Sequence, residues 1–319
     1  MMATAELPID PADDFRARLA AQGMAPLWDV MAALVTPEPR SMCVPAHWRR
    51  DDYRPLVEES GAAISAERAE RRVLVLENPA IPGKSQATAS LYAGIQYLLP
   101  GEIAPAHSHS ATALRFILDG DGAYTTVDGE RIVMAPGDFV VTPAHGRHDH
   151  GNHSAAPMMW LDILDVPIVN LFETSFSERS DGAAPYDRTR ETSAWSYETI
   201  RPRLAEAPLD PAHGRRLRYT DASTGDWATA TMGATLSLLP AGFTGSTYRS
   251  TDGTIFCCGE GSGTTEIEGA APIAWAKGDV FVIPSWQAYR HRSAEGGILF
   301  AASDRPAQEK LGLWREARG

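Results

Sequence analysis

Two stretches of this chain repeat each other, and that repetition restricts the fold more than any other feature. Leu98-Leu99-Pro100 returns as Leu238-Leu239-Pro240, and Gly137-Asp138-Phe139-Val140 returns as Gly278-Asp279-Val280-Phe281, at nearly the same spacing. An echo at constant spacing marks one structural unit built twice. Around both copies, roughly 72–170 and 225–305, short runs rich in Val, Leu, Ile, Tyr and Thr are cut by Gly, Pro and Asp-Gly. Such runs read as antiparallel barrel strands. Residues 11 to 35 instead carry apolar positions at helical spacing, until Thr36-Pro37-Glu38-Pro39 breaks the pattern. The expected fold is mainly β: a helical N-terminal region over 1–71, a first barrel over 72–173, a linker with one short helix over 174–224, and a second barrel with a C-terminal tail over 225–319.

A formal charge of −12 leaves no basic cluster to neutralise phosphates, so neither nucleic acid nor an anionic membrane is an expected partner. The start is acidic where a signal peptide needs basic residues, and no apolar run approaches the ~18 residues of a membrane span. The protein is expected to be cytoplasmic. Cys43 and the adjacent pair Cys257 and Cys258 suit neither a disulfide framework nor a zinc spacing, and are read as reduced packing residues.

Six of the nine histidines fall between His107 and His153. On a strand, His107 and His109 project to one face, the geometry of two adjacent ligands. Gly101, His107, His109 and Gly120 match the first motif of the cupin barrels, with Ala113 where that motif carries a glutamate. Gly137, Pro143, His148 and Asn152 match the second, with His145 replacing a glycine, and His148 is the third ligand. Three neutral imidazoles without a carboxylate leave about three positions open on a divalent metal, room for a chelating substrate and O2 together. Zinc would accept the same ligands.

Continued strand parity turns Arg115 toward the same interior, where its guanidinium could fork onto a substrate carboxylate; the alternative is an ion pair with Asp162 or Asp165. His150 shares a face with His148, near enough to exchange a proton with a bound ligand, or else serves a supporting role. Gln96 shares parity with Gly94 and either lines the cavity or fills the barrel.

Beyond these motifs, the segments PGEIAPAHSHSATALRFILDGDGAYTTVDGE, GDFVVTP, HDHGN and WLDILDVP resemble the central block of gentisate 1,2-dioxygenases. LWDVMAALVTPEPR and AERRVLVLENP resemble that family's N-terminal region, and FVIPSW with SDRPAQEKLGLWRE its C-terminal end. The resemblance implies a bicupin of two jelly-roll barrels, a homotetramer, using Fe(II) and O2 to cleave gentisate between its carboxyl-bearing and adjacent hydroxyl-bearing carbons, giving a maleylpyruvate-type product. It implies His107, His109 and His148 as iron ligands, and Arg115, His150, Gln96 and Gly94 at the substrate, joined by Arg71 or Arg72. Ser108 and the run Ala144-His145-Gly146-Arg147 depart from the family pattern. They imply an altered pocket tolerant of 5-substituted salicylates, with salicylate and 1-hydroxy-2-naphthoate as rival substrates. A non-catalytic cupin binding an aromatic acid is the reading from another class.

The second barrel is expected to hold no metal. Aligned on the Leu-Leu-Pro echo, Thr247 and Arg249 stand at the places of His107 and His109, and Tyr289 stands at that of His148. His291 lies between Arg290 and Arg292, and Glu260 and Glu266 occupy no ligand position. Trp275, Phe281 and Trp286 are expected to supply buried area there.

Overall fold

The computed structural model describes residues 11–179 and 194–319. Met1–Arg40 and Ser41–Gly319 form two compact units. In the first, helices Pro11–Ala21 and Leu27–Leu34 are joined by Arg16, whose Nε lies 2.6 Å from Asp29 Oδ2. Leu27–Leu34 buries none of its side chains.

The second unit contains both barrels. One sheet of the first barrel runs Ser177–Arg179, Ile103–His109, His148–Asn152, Ala123–Val127, Glu130–Met134. The facing sheet runs Ala194–Trp195, Phe139–Thr142, Ala113–Asp119, Met158–Leu164, Tyr92–Leu98, Val73–Val75. Ala113–Asp119 and Met158–Leu164 are buried along nearly their whole length, because one face lines the barrel and the other packs on the second barrel. Phe116 of the first barrel stacks on Phe300 of the second at 4.5 Å between ring centroids, and Phe139 lies 5.5 Å from the same ring. Phe300 is fully buried.

The barrels are also interlocked. Strand Ala46–Trp48 pairs with Val280–Ile283 of the second barrel, and Ala194–Trp195 pairs with Phe139–Thr142 of the first. Each strand leads into a helix, Arg50–Ala63 or Tyr197–Glu206, and neither helix has a side-chain cap from its own N-cap residue. The echoed Gly-Asp pair supplies the missing acceptor. Asp279 Oδ1 accepts from Arg50 N at 2.7 Å and Asp138 Oδ1 from Tyr197 N at 2.8 Å, satisfying exposed helix-end donors. The second oxygen of each carboxylate closes its own turn, accepting from Ala276 N and Ala135 N. Gly137 and Gly278 both sit at φ +87°, a conformation side chains resist, so glycine is needed before each aspartate.

The stretch 174–224 does more than connect. Ser177–Arg179 pairs with Ile103–His109, Tyr197–Glu206 is helical, and Gly214–Arg218 pairs with Gly233–Leu239 of the second barrel. These strands lie at or next to sheet edges with a wetted face, so they need no apolar alternation to announce them. Residues 180–193 lie outside the described residues.

The second barrel pairs Tyr248 with Tyr289, just as the first pairs His107 with His148. Trp286 N donates to Ser250 O at 2.6 Å, as His145 N does to His109 O at 2.7 Å. Tyr248 and Ser250 therefore occupy the ligand-strand positions, one residue on from the Thr247 and Arg249 expected. A one-residue slip in register exchanges the faces of a strand, and Arg249 turns outward to Glu268 at 3.4 Å. Trp275 and Phe281 are buried as expected, whereas Trp286 is half-buried, at the tip of a turn with φ +61°. The three cysteines are free and buried. Among the described residues no helix is long and apolar enough to cross a membrane.

Candidate active site

His107 and His109 stand on Ile103–His109 and His148 opens the adjacent strand His148–Asn152, so pairing alone brings the three imidazoles together. Ring centroids lie 4.0 Å apart for His107 and His148, 4.8 Å for His109 and His148, and 5.4 Å for His107 and His109. One atom of each lies within 4.8 Å of the others, the sole grouping of three or more metal-binding side chains among the described residues.

The tautomers are fixed by the backbone. His107 Nδ1 lies 3.0 Å from the Pro105 carbonyl, His109 Nδ1 2.7 Å from that of Ala111, and His148 Nδ1 2.9 Å from that of Gly146. A carbonyl only accepts, so each Nδ1 carries the proton and each Nε2 presents a lone pair. Nε2 of His107 and of His148 is buried without a partner. An orphaned lone pair in a dry site is costly unless something coordinates it, so the residues present fit a divalent metal. Burial is the first cause holding all three imidazoles below the ordinary histidine range, with Arg115 adding to it in each and Arg71 in His107 and His109; His107 falls to about 3. The ring nitrogens are thus free of competing protons at neutral pH.

A cavity of about 740 Å³ opens from the histidines, with His109 and His148 on one wall and Gln96, Arg115 and Asp162 on the other. Arg115 does face the interior, but by another route than strand parity. The strand ends at His109, and Arg115 belongs to Ala113–Asp119 in the opposite sheet. Arg115 Nε lies 3.2 Å from Asp162 Oδ1 and its Nη1 donates to Thr142 Oγ1 at 2.5 Å. Of the two readings open for Arg115, the ion pair with Asp162 is present. Burial pushes the Asp162 carboxyl up and the Arg115 guanidinium down, each partner opposing the shift of the other.

Arg71 and Arg72 separate cleanly. Arg72 is buried, paired with Glu102 and donating to the Ile64 carbonyl at 3.0 Å, away from the cavity. Arg71 lines the cavity, and no described residue makes an ion pair with its side chain. Burial, then the like charge of Arg115, lowers its affinity for a proton.

His150 is fully buried behind His148, with ring centroids 5.5 Å apart, and neither of its nitrogens has a partner. Burial and then Arg115 hold it well below the ordinary range. Gln96 is on the cavity wall. Gly94 is not: a Cβ there would meet Val73 Cγ1 at 2.5 Å and the Tyr92 hydroxyl at 2.8 Å, so the space above it is already filled. Neither Ser108 nor Arg147 lines the cavity. Ser108 lies between two inward-facing neighbours, so it points out of the barrel. Tyr92 and Asp162 are wall residues that the sequence reading did not assign to the site. The parity of Tyr92 with Gln96 was the available signal.

The cupin domain family matches residues 94–164, the span holding all three histidines. The chain is 42% identical to gentisate 1,2 dioxygenase 1 of Aquipseudomonas alcaligenes, with 96% of each chain covered. It belongs to the gentisate 1,2-dioxygenase family. Within that family it is also 33% identical to the 5-aminosalicylate 1,2-dioxygenase of Comamonas sp., over 93% of this chain and 88% of the relative. Salicylate 1,2-dioxygenase of Pseudoaminobacter salicylatoxidans, solved with gentisate, superposes with a TM-score of 0.90 at 28% identity, covering 98% of this chain and 96% of the other. The protein is a bicupin dioxygenase with three histidines grouped where they could hold a metal.

Proposed function

We propose that the chain binds Fe(II) through His107, His109 and His148 and cleaves gentisate with O2 between the carboxyl-bearing and adjacent hydroxyl-bearing carbons. The observation that carries this reading is the 42% identity to a gentisate 1,2-dioxygenase across nearly the whole of both chains. Iron, when bound, would supply the one-electron chemistry through which O2 meets an electron-rich ring.

The chain's own residues select and orient the ring. Arg71, unpaired at the cavity wall, takes the substrate carboxylate, a charge-assisted contact of the kind guanidinium makes best. Arg115, paired with Asp162 and bonded to Thr142, is a fixed donor wall beside the histidines. Gln96 donates or accepts at a ring hydroxyl. His150, neutral and with neither ring nitrogen partnered, would accept a hydrogen bond from a substrate hydroxyl and so ease loss of its proton. Gln96, Arg115 and His150 are shielded from water, which strengthens their electrostatic contacts. Gly94 acts by letting Tyr92 and Val73 close over the wall.

Salicylates are the second reading, favoured by the 5-aminosalicylate relative and the salicylate dioxygenase fold match. The enzyme is proposed to be cytoplasmic and homotetrameric, with the apolar side chains exposed on Leu27–Leu34 available for subunit contact. Fe(II)-loaded protein should consume one O2 per gentisate in an oxygen electrode, faster than with salicylate or 5-aminosalicylate. Binding of all three acids without O2 uptake would show a carrier instead.

A further inference from the structure

Resting on this aromatic-acid reading, we propose that Lys84 is a substrate-steering residue that captures the anionic substrate at the cavity mouth and passes it towards Arg71. A chain of net charge −12 repels a carboxylate at long range, so rapid entry needs a local positive field at the opening. Lys84 is exposed and also part of the cavity wall. No described residue makes an ion pair with it, whereas two other wall charges are neutralised: Glu70 by Arg179, and Arg115 by Asp162.

The loop around Lys84 is built to hold it there. Glu77 grips the backbone on both sides, its carboxylate accepting from Gly83 N at 3.2 Å and Ser85 N at 2.7 Å. Gly83 and Ser85 sit at φ +76° and +55°, and Ser85 keeps a conformation that costs a non-glycine residue energy. The two bonds fix the Lys84 backbone and leave its ammonium group free. Lys84 and Arg71, both exposed, thus lead inward to Arg115, which is buried.

Point charges about 8 Å apart in water change encounter by roughly 2-fold, and reversing the charge squares that factor to about 5-fold. At 1 M salt the screening length is about 3 Å and the effect vanishes. The test is anaerobic stopped-flow association of salicylate, followed by its own fluorescence, with Fe(II)-loaded protein and the variants Lys84→Met and Lys84→Glu. The expected result is association slowed about 2-fold and about 5-fold at low salt, with dissociation unchanged and the three proteins converging at high salt. Equal association rates at low salt, or a deficit that salt does not remove, would overturn the role of Lys84 while leaving aromatic-acid binding intact. Failure of the native protein to bind salicylate or gentisate would overturn the aromatic-acid reading itself, and this proposal with it.

Discussion

Opposite His107 in the first barrel stands His148; at the matching place in the second, Tyr248 faces Tyr289. The scaffolds around these pairs are alike. Each barrel has a Gly-Asp turn that caps a helix leading to the other barrel, and each has a residue at φ +61°, His145 or Trp286, whose N–H ties a turn to the ligand strand. Each ends in a buried aspartate, Asp165 or Asp304, that accepts a backbone N–H at Thr112 or Gly253. What differs is the filling. In the second barrel Tyr248, Tyr289, Phe256 and Phe281 pack around His291, whose Nδ1 lies 2.8 Å from Thr265 Oγ1, itself the acceptor for Trp275 Nε1. A few inward positions therefore separate a three-histidine cluster from an aromatic core on one framework.

The shared framework predicts that the barrels unfold together. Phe300→Ala removes the ring against which Phe116 and Phe139 pack, and should cost about 3–5 kcal/mol and lower one calorimetric transition. Two separate transitions would break the picture of interlocked barrels.

The matched aspartates sharpen the comparison through pH. Burial raises the Asp304 carboxyl from 3.8 to about 6, so the folded state holds its proton more tightly than the unfolded state does. Stability is then greatest where both states are protonated and falls as pH rises from about 4 to about 6, a loss of up to about 3 kcal/mol. Asp304→Asn keeps an acceptor for Gly253 N and should flatten that slope in denaturation curves taken across this range. Asp165 is raised for the same reason, and Asp165→Asn should flatten the slope as well.

Arg71 belongs to the filling, not the frame. Arg71→Met should weaken gentisate binding by about 2 kcal/mol, roughly 30-fold, without changing iron content. An unchanged affinity in calorimetric titration would return the carboxylate to Arg115. The smallest effect concerns the left-handed turns. His145→Gly should stabilise the protein by about 1 kcal/mol in chemical denaturation, because an exposed side chain sheds strain. Trp286→Gly loses half-buried ring surface and should destabilise it instead.

The same contrast explains what the sequence made legible. The grouping of His107, His109 and His148 is set by spacing along two adjacent strands, so it could be read directly. The duplication was visible because glycine and aspartate in the echoed turns answer a backbone demand. Arg71 could not be told from Arg72 until Glu102 was seen beside the latter, a tertiary fact. Thr247 and Arg249 were placed one residue out because the Leu-Leu-Pro echo does not fix register beyond the intervening turn. The exchanged strands Ala46–Trp48 and Ala194–Trp195 are too short to show any periodicity.

The central claim is that one barrel holds the metal and the other cannot. Metal analysis of Fe(II)-loaded protein, beside His107→Ala and Tyr289→Phe, tests it most directly. The account predicts about one iron per chain in the native protein and in Tyr289→Phe, and none in His107→Ala. About two irons per chain, or a full complement surviving His107→Ala, would contradict it.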